Sequence, residues 1–271
     1  MDPATPDAAA SAALRDVAAE VARACGRLIV DGRPRHVGVA STKSSATDVV
    51  TVMDRRSEAL AQEILGRLRP DDAVVGEEGA DRAGTTGITW LVDPIDGTVN
   101  YLYDIDEYAV SVAAVVGDAH VHGGFLPVAG AVYQPCTDEL YLASAGGGAT
   151  ANGEPLAFDP ADALATSLVG TGFGYAAADR ERQGAVLARV LPRVRDIRRH
   201  GVASLDVCAV ARGRLDAYYE EGLNAWDYAA AWLIAQEAGA TVRGAGRRRP
   251  GRDLLLAGRA DVLAELEALL T

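Results

Sequence analysis

An apolar strand that stops abruptly on two aspartates constrains this chain more than any other stretch. In Trp90-Leu91-Val92-Asp93-Pro94-Ile95-Asp96-Gly97-Thr98 the hydrophobic run reads as a buried strand, and two carboxylates follow it three positions apart. Pro94 fixes φ and removes a backbone donor, while Gly97 opens conformations that other residues resist, so the turn cannot relax to separate the acids. A lone Asp-x-x-Asp is usually an ordinary turn. Two carboxylates held together at the end of a buried strand repel, and a cation is their natural compensation. Thr98 adds a hydroxyl to the same turn.

Further acids can converge on that point. Gly76-Glu77-Glu78-Gly79 follows another apolar strand, which puts Glu77 or Glu78 at a sheet edge. Asp48 and Asp54 flank the stretch Val49-Val50-Thr51, just after Lys43. Asp227 opens an apolar helix, where the helix dipole alone would favour an acid in the first turn. Hard oxygen donors without cysteine or clustered histidine suit magnesium rather than zinc. Several acids feeding two or more magnesium ions are the usual equipment for phosphoryl chemistry.

Lys43 is the single lysine beside 25 arginines. A bias towards alanine and arginine accounts for the arginines, and a site that needs a compact point charge would resist that drift. The four histidines, His36, His120, His122 and His200, are scattered, with His120 and His122 expected to alternate on a strand. No nucleophile elbow, Walker loop or HExxH is present in the sequence, so histidine or serine catalysis has no support.

The 271 residues allow one large domain or two intimate halves. The three cysteines, Cys25, Cys136 and Cys208, have no metal or CxxC spacing and suit a reducing cytoplasm. The acidic N-terminus reads as no signal peptide, and no apolar run reaches the roughly 18 residues of a membrane helix. A net charge of −12 argues against broad nucleic-acid binding, although Arg243–Arg252 forms one local basic loop. Helical periodicity predicts helices over 8–30 and 55–68, with 35–54 left as a polar loop. Short β-rich runs at 89–92, 108–116, 128–134 and 139–143 predict an antiparallel meander. The glycines at 146–148 and the turn at 151–154 read as a hinge, after which strands and helices alternate. The expected organisation is an α+β half at 1–147 and an α/β half at 148–271 within one compact unit.

Glu77-Glu78 after glycine, the segment Asp93-Pro94-Ile95-Asp96-Gly97-Thr98 with Asn100 beyond it, and Trp226-Asp227 together resemble the inositol monophosphatase family. Lys43-Ser44-Ser45 with Asp48 and Asp54, and Asp216-Ala217-Tyr218-Tyr219-Glu220 upstream of the Trp-Asp pair, extend the resemblance from about residue 8 to 270. It implies a layered αβαβα sandwich shared with fructose-1,6-bisphosphatases, magnesium dependence with two or three ions, lithium sensitivity and a homodimer. It assigns one metal to Glu77, Asp93 and the Ile95 carbonyl, a second to Asp93, Asp96 and Asp227, and a third near Glu77. Thr98, paired with Asp54, would orient the attacking water in direct in-line hydrolysis of a phosphate monoester. Gly97 and Thr98 would offer backbone N–H groups to the phosphate. Glu220, with Asp96, Ala203 and Asp227, would read the hydroxyls of inositol 1-phosphate. Val202 is larger than the residue the family commonly carries beside that pocket. The resemblance also leaves open histidinol phosphate, fructose 1,6-bisphosphate or 3′-phosphoadenosine 5′-phosphate as substrate, with Arg198, Arg199 or the 243–252 loop as extra cations. A non-enzymatic role on RNA polymerase or RNA is the reading from a different class.

Overall fold

The computed structural model describes residues 6–34, 36–43, 49–79 and 81–270. Asp48, Ser44 and Ser45 lie outside the described residues. Leu14, Ala18, Val21, Ala22, Cys25 and Ile29 recur every three or four positions, so α1 (Ala8–Asp31) buries one continuous stripe. The chain then forms a hairpin, β1 (Val39–Thr42) and β2 (Val49–Thr51), and enters α2 (Val52–Leu68). Strands β3 (Ala73–Gly76) and β4 (Ile88–Asp96), the short helix α3 (Thr98–Leu102), and strands β5 (Ala109–Gly117), β6 (Phe125–Gln134), β7 (Glu139–Ser144), β8 (Ala149–Ala151) and β9 (Glu154–Pro155) follow. The remainder is β10 (Leu168–Thr171), α4 (Ala177–Val190), β11 (Asp196–Arg198), α5 (Ala203–Ala211), β12 (Ala217–Glu220), α6 (Ala225–Glu237), β13 (Thr241–Arg243), β14 (Leu255–Gly258) and α7 (Ala260–Leu270).

Two sheets organise these elements. The first has seven strands in the order β3-β4-β5-β6-β7-β8-β9, with β3 parallel to β4 and the rest antiparallel. The second has five, in the order β11-β10-β12-β14-β13, with β10 parallel to both its neighbours. Helices α1 and α2 cover the outer face of the first sheet. The almost wholly apolar α5 and α6 fill the space between the sheets, where Tyr228 and Trp232 of α6 meet Phe125 of β6. Helices α4 and α7 cover the far face of the second sheet. Five layers result, α-β-α-β-α.

Several boundaries differ from the sequence expectation. The stretch 35–54 was expected as loop, but β1 and β2 pair across it and α2 begins at Val52. Gly146–Gly148 and Asn152-Gly153 are turns within the first sheet rather than a hinge, so that sheet continues past residue 147 to Pro155. His120 and His122 lie in the turn between β5 and β6, not on a strand. Strand β4 runs four residues beyond Val92, to Asp96. Its pairing with β5 shifts register between Asp93 and Asp96, where Pro94 has no N–H for the ladder.

Candidate active site

Parallel pairing puts the first acids together. In the β3–β4 register Gly76 stands opposite Val92, so Glu77 and Asp93 leave the same end of two adjacent strands. The same rule operates in the second sheet, where β10 and β12 pair Thr171 with Tyr219 and bring Gly172 beside Glu220. A Cβ at residue 172 would stand 2.1 Å from the Glu220 carboxylate, so glycine there makes room for it. The strand ends, the β4–α3 turn and the start of α6 line a cleft of about 690 Å³. Lys43, Glu77, Asp93, Ile95, Asp96, Gly97, Thr98, Ala203, Glu220 and Asp227 all border it.

Each aspartate of this region is held through one carboxylate oxygen by a backbone N–H. Thr51 N–H donates to Asp54 at 2.8 Å, Ile95 N–H to Asp93 at 3.0 Å, Ser204 N–H to Asp96 at 2.7 Å and Asn224 N–H to Asp227 at 2.7 Å. Two of these bonds belong to capping boxes. Thr51 and Asp54 close one at the start of α2, and Asn224 and Asp227 close the other at the start of α6. The caps that start the helices therefore also aim the acids. The Thr98 hydroxyl lies 3.1 Å from Asp54 Oδ1 and 3.0 Å from the Ile95 carbonyl oxygen, and its one proton serves either acceptor. The turn is fixed from behind: Gly97 has φ +92°, and a Cβ there would meet the Val202 side chain at 2.8 Å. Val202 is buried against that turn and borders a neighbouring cavity with His200 and Asp206, so its bulk stays out of the cleft.

Electrostatics mark the cluster as short of positive charge. Burial, then repulsion from Glu77, Asp96 and Asp227, raises the Asp93 carboxyl well above the usual carboxylate range. Burial, Glu77 and Asp96 do the same to Asp227. Asp96 is pushed up to about 7 by burial, although Ser204 opposes the rise. Burial also lifts Asp54 to about 6 and Glu220 to about 7, the latter against a hydrogen bond from the Tyr218 hydroxyl. The nearest compensation is Lys43, whose Nζ stands 2.9 Å from Glu77 Oε1 and 2.6 Å from Glu78 Oε1. Burial pulls the Lys43 ammonium down, but those two carboxylates outweigh it and hold it above its ordinary value. One lysine does not neutralise these five acids. Their hard oxygens fit a divalent cation of the magnesium type. Among the described residues no three such groups cage a single ion as they stand, and Glu77 turns one oxygen to Lys43.

The residues that hold these acids gave little signal in the sequence. Ser204 N–H, Gly172 and Thr51 carry no chemistry of their own. Thr51-x-x-Asp54 and Asn224-x-x-Asp227 were nonetheless visible as capping-box spacings. Glu58, whose carboxylate accepts the Glu78 N–H at 2.7 Å, had no such signal.

A profile of the Inositol monophosphatase family matches residues 11–269. The chain is 46% identical over 237 residues to the Inositol-1-monophosphatase SuhB of Mycobacterium tuberculosis, covering 84% of this chain and 79% of that relative. It is 34% identical over 229 residues to the Nus factor SuhB of Haemophilus influenzae, with 84% and 83% covered. The solved structure of Mycobacterium tuberculosis SuhB superposes with a TM-score of 0.79 at 41% identity, covering 96% of each chain. The chain belongs to the inositol monophosphatase family, and its layered architecture is that of the family's solved structures.

Proposed function

We propose that this chain hydrolyses a small phosphate monoester, inositol 1-phosphate before others, with magnesium as its cofactor. The observation that carries the reading is the set of buried aspartates on one cleft, each pinned by a backbone N–H and short of cationic partners. Glu77, Asp93, Asp96, Asp227 and the Ile95 carbonyl would hold the ions. Magnesium, when bound, acidifies water and neutralises phosphoryl oxygens. The chain's own residues do the rest. Gly97 and Thr98 offer backbone N–H groups to the phosphate, because the first N–H groups of α3 have no helical acceptor. Thr98 orients the attacking water and passes a proton towards Asp54, whose raised pKa suits it to receive one near neutral pH. Glu220 and Asp227 accept hydrogen bonds from hydroxyls of the leaving group, with Ala203 keeping that wall small.

The name of the Mycobacterium tuberculosis relative supports inositol 1-phosphate as the first substrate to try. Lithium inhibition, a homodimer and a cytoplasmic setting go with the same reading; among the described residues no helix is long and apolar enough to cross a membrane. A second reading, a role on the transcription machinery, has one observation in its favour, the relative named Nus factor SuhB. The basic loop at 243–252 lends it little support, since Arg243 is tied to Glu267, Arg249 to the Gly123 carbonyl and Arg252 to Asn224.

The test is magnesium-dependent phosphate release from inositol 1-phosphate, histidinol phosphate, fructose 1,6-bisphosphate and 3′-phosphoadenosine 5′-phosphate, compared by kcat/KM. Highest kcat/KM on inositol 1-phosphate is the expected result. No release from any of them would overturn the enzymatic reading.

A further inference from the structure

The basic loop between β13 and β14 grips the start of α6 at three points. The Gly222 N–H donates to the Arg252 carbonyl at 2.7 Å, and the Arg252 guanidinium donates to Asn224 Oδ1 at 2.7 Å. The Tyr228 hydroxyl donates to the carbonyl of the buried Pro250 at 3.4 Å. These contacts bracket Asp227 in the chain, two before it and one after. Leu223, between the two gripped residues, is buried in the core that α5 and α6 form. The loop is itself fixed at its other points: Arg243 donates to Glu267 at 2.6 Å, the Gly246 N–H to the same carboxylate at 2.7 Å, and Arg249 to the Gly123 carbonyl at 3.3 Å. Asn224 is where this grip meets the acids. It caps α6, and its N–H holds Asp227 Oδ2 at 2.7 Å within the capping box. A guanidinium carries donors only, so Arg252 fixes which end of the Asn224 amide presents oxygen. The first turn of α6 needs an oxygen in that place for its unsatisfied N–H groups. The largest influences on the Asp227 carboxyl are burial, Glu77, Asp96, the Asn224 N–H and Glu220, so Arg252 bears on it through Asn224 rather than as a direct charge.

Resting on the placement of an ion at Asp227 in the reading above, we propose that Arg252 is a positioning residue: by fixing Asn224 it holds the Asp227 carboxylate in the orientation that binds the ion. The basic loop then serves as a brace for the metal site. Partners that orient a metal-binding side chain act chiefly on metal affinity. The step that breaks the phosphate ester at saturating metal is left nearly as it was.

The experiment titrates magnesium alone, by calorimetry, into the metal-free wild type, Arg252→Met, Arg252→Lys, Asn224→Ala, the double variant of Arg252→Met with Asn224→Ala, and Arg248→Gln. Arg252→Met keeps the length of the side chain and removes its donors, and magnesium binding is expected to weaken roughly 3- to 10-fold. Arg252→Lys keeps a donor and recovers part of the loss. Arg248 donates to the Ala245 carbonyl of its own loop, so Arg248→Gln removes the same charge and leaves the affinity as in the wild type. Asn224→Ala keeps the N–H that Asp227 accepts, and in that background Arg252→Met adds little further loss. In turnover of inositol 1-phosphate, Arg252→Met raises the half-saturating magnesium concentration, while kcat at saturating magnesium stays within about threefold of wild type. Thermal melting of each metal-free variant reports on folding. An affinity within about 1.5-fold of wild type in Arg252→Met overturns the proposal. So does an equal loss in Arg248→Gln, or an undiminished loss in the Asn224→Ala background. A wild type that binds magnesium but releases phosphate from no substrate overturns the phosphatase reading alone, and the binding ratios still decide for or against Arg252. No magnesium binding by the wild type overturns both.

Discussion

Asp93 is where the largest consequences of a single side chain are concentrated. It accepts the Ile95 N–H and feels the charges of Glu77, Asp96 and Asp227 at once. Asp93→Asn keeps an oxygen for that N–H, so the turn survives while one repelling charge disappears. Magnesium-dependent turnover is expected to fall by at least about 10³-fold. The metal-free variant should also melt at a higher temperature than the metal-free wild type, which differential scanning calorimetry would detect. Retained turnover with an unchanged magnesium requirement would remove Asp93 from the metal site. Thr98 separates orientation from binding. Thr98→Ala removes the hydroxyl that lies 3.1 Å from Asp54 Oδ1 and is expected to lower kcat by about 10²-fold, whereas Thr98→Ser restores most of it. Equal losses in both variants would assign Thr98 a packing role.

Paired strands and capped helices set the acids in place, and these elements were unequally legible. Helices α1 and α2 followed from apolar spacing, and strands β5, β6 and β7 from β-rich runs between turn residues. The motif acids were legible too, because Asp93 and Asp96 follow an apolar strand and Asp227 opens an apolar helix. The short hairpin β1–β2 and the edge strand β13 were not, since three- or four-residue pieces owe their conformation to tertiary pairing rather than to local pattern. The hydrogen bond from the Ser204 N–H to Asp96 was equally invisible, because it joins residues 108 positions apart. The β10–β12 pair gives a direct test at this scale. Gly172→Ala places a methyl 2.1 Å from a Glu220 carboxylate oxygen, so the carboxylate has to move. KM for inositol 1-phosphate is expected to rise roughly tenfold with a smaller change in kcat. An unchanged KM would mean that Glu220 does not read the substrate.

The five-layer sandwich gathers a cluster of like charges along one cleft, and stability should report it. Asp54, Asp96 and Glu220 retain protons up to about 6, 7 and 7, against ordinary values of 3.8, 3.8 and 4.5. Between those limits the folded protein binds more protons than the unfolded chain, so these groups make stability fall as pH rises. His200, raised by its hydrogen bond to Asp206, acts in the same direction. The carboxyls lowered by hydrogen-bond partners, Asp72 by Arg69 and Glu139 by Tyr141 and Arg214, have given their full contribution once pH exceeds their unfolded values and add no slope above it. Metal-free protein is therefore expected to have a lower Tm at about pH 8 than at about pH 5, and magnesium to raise Tm more at the higher pH. A flat metal-free profile would mean that the acids are compensated within the chain. The most direct measurement of the whole account is phosphate release from inositol 1-phosphate in a chelator and after magnesium is restored. Turnover should be absent in the chelator and return with magnesium. Turnover that persists without a divalent ion, or none when magnesium is supplied, would contradict it.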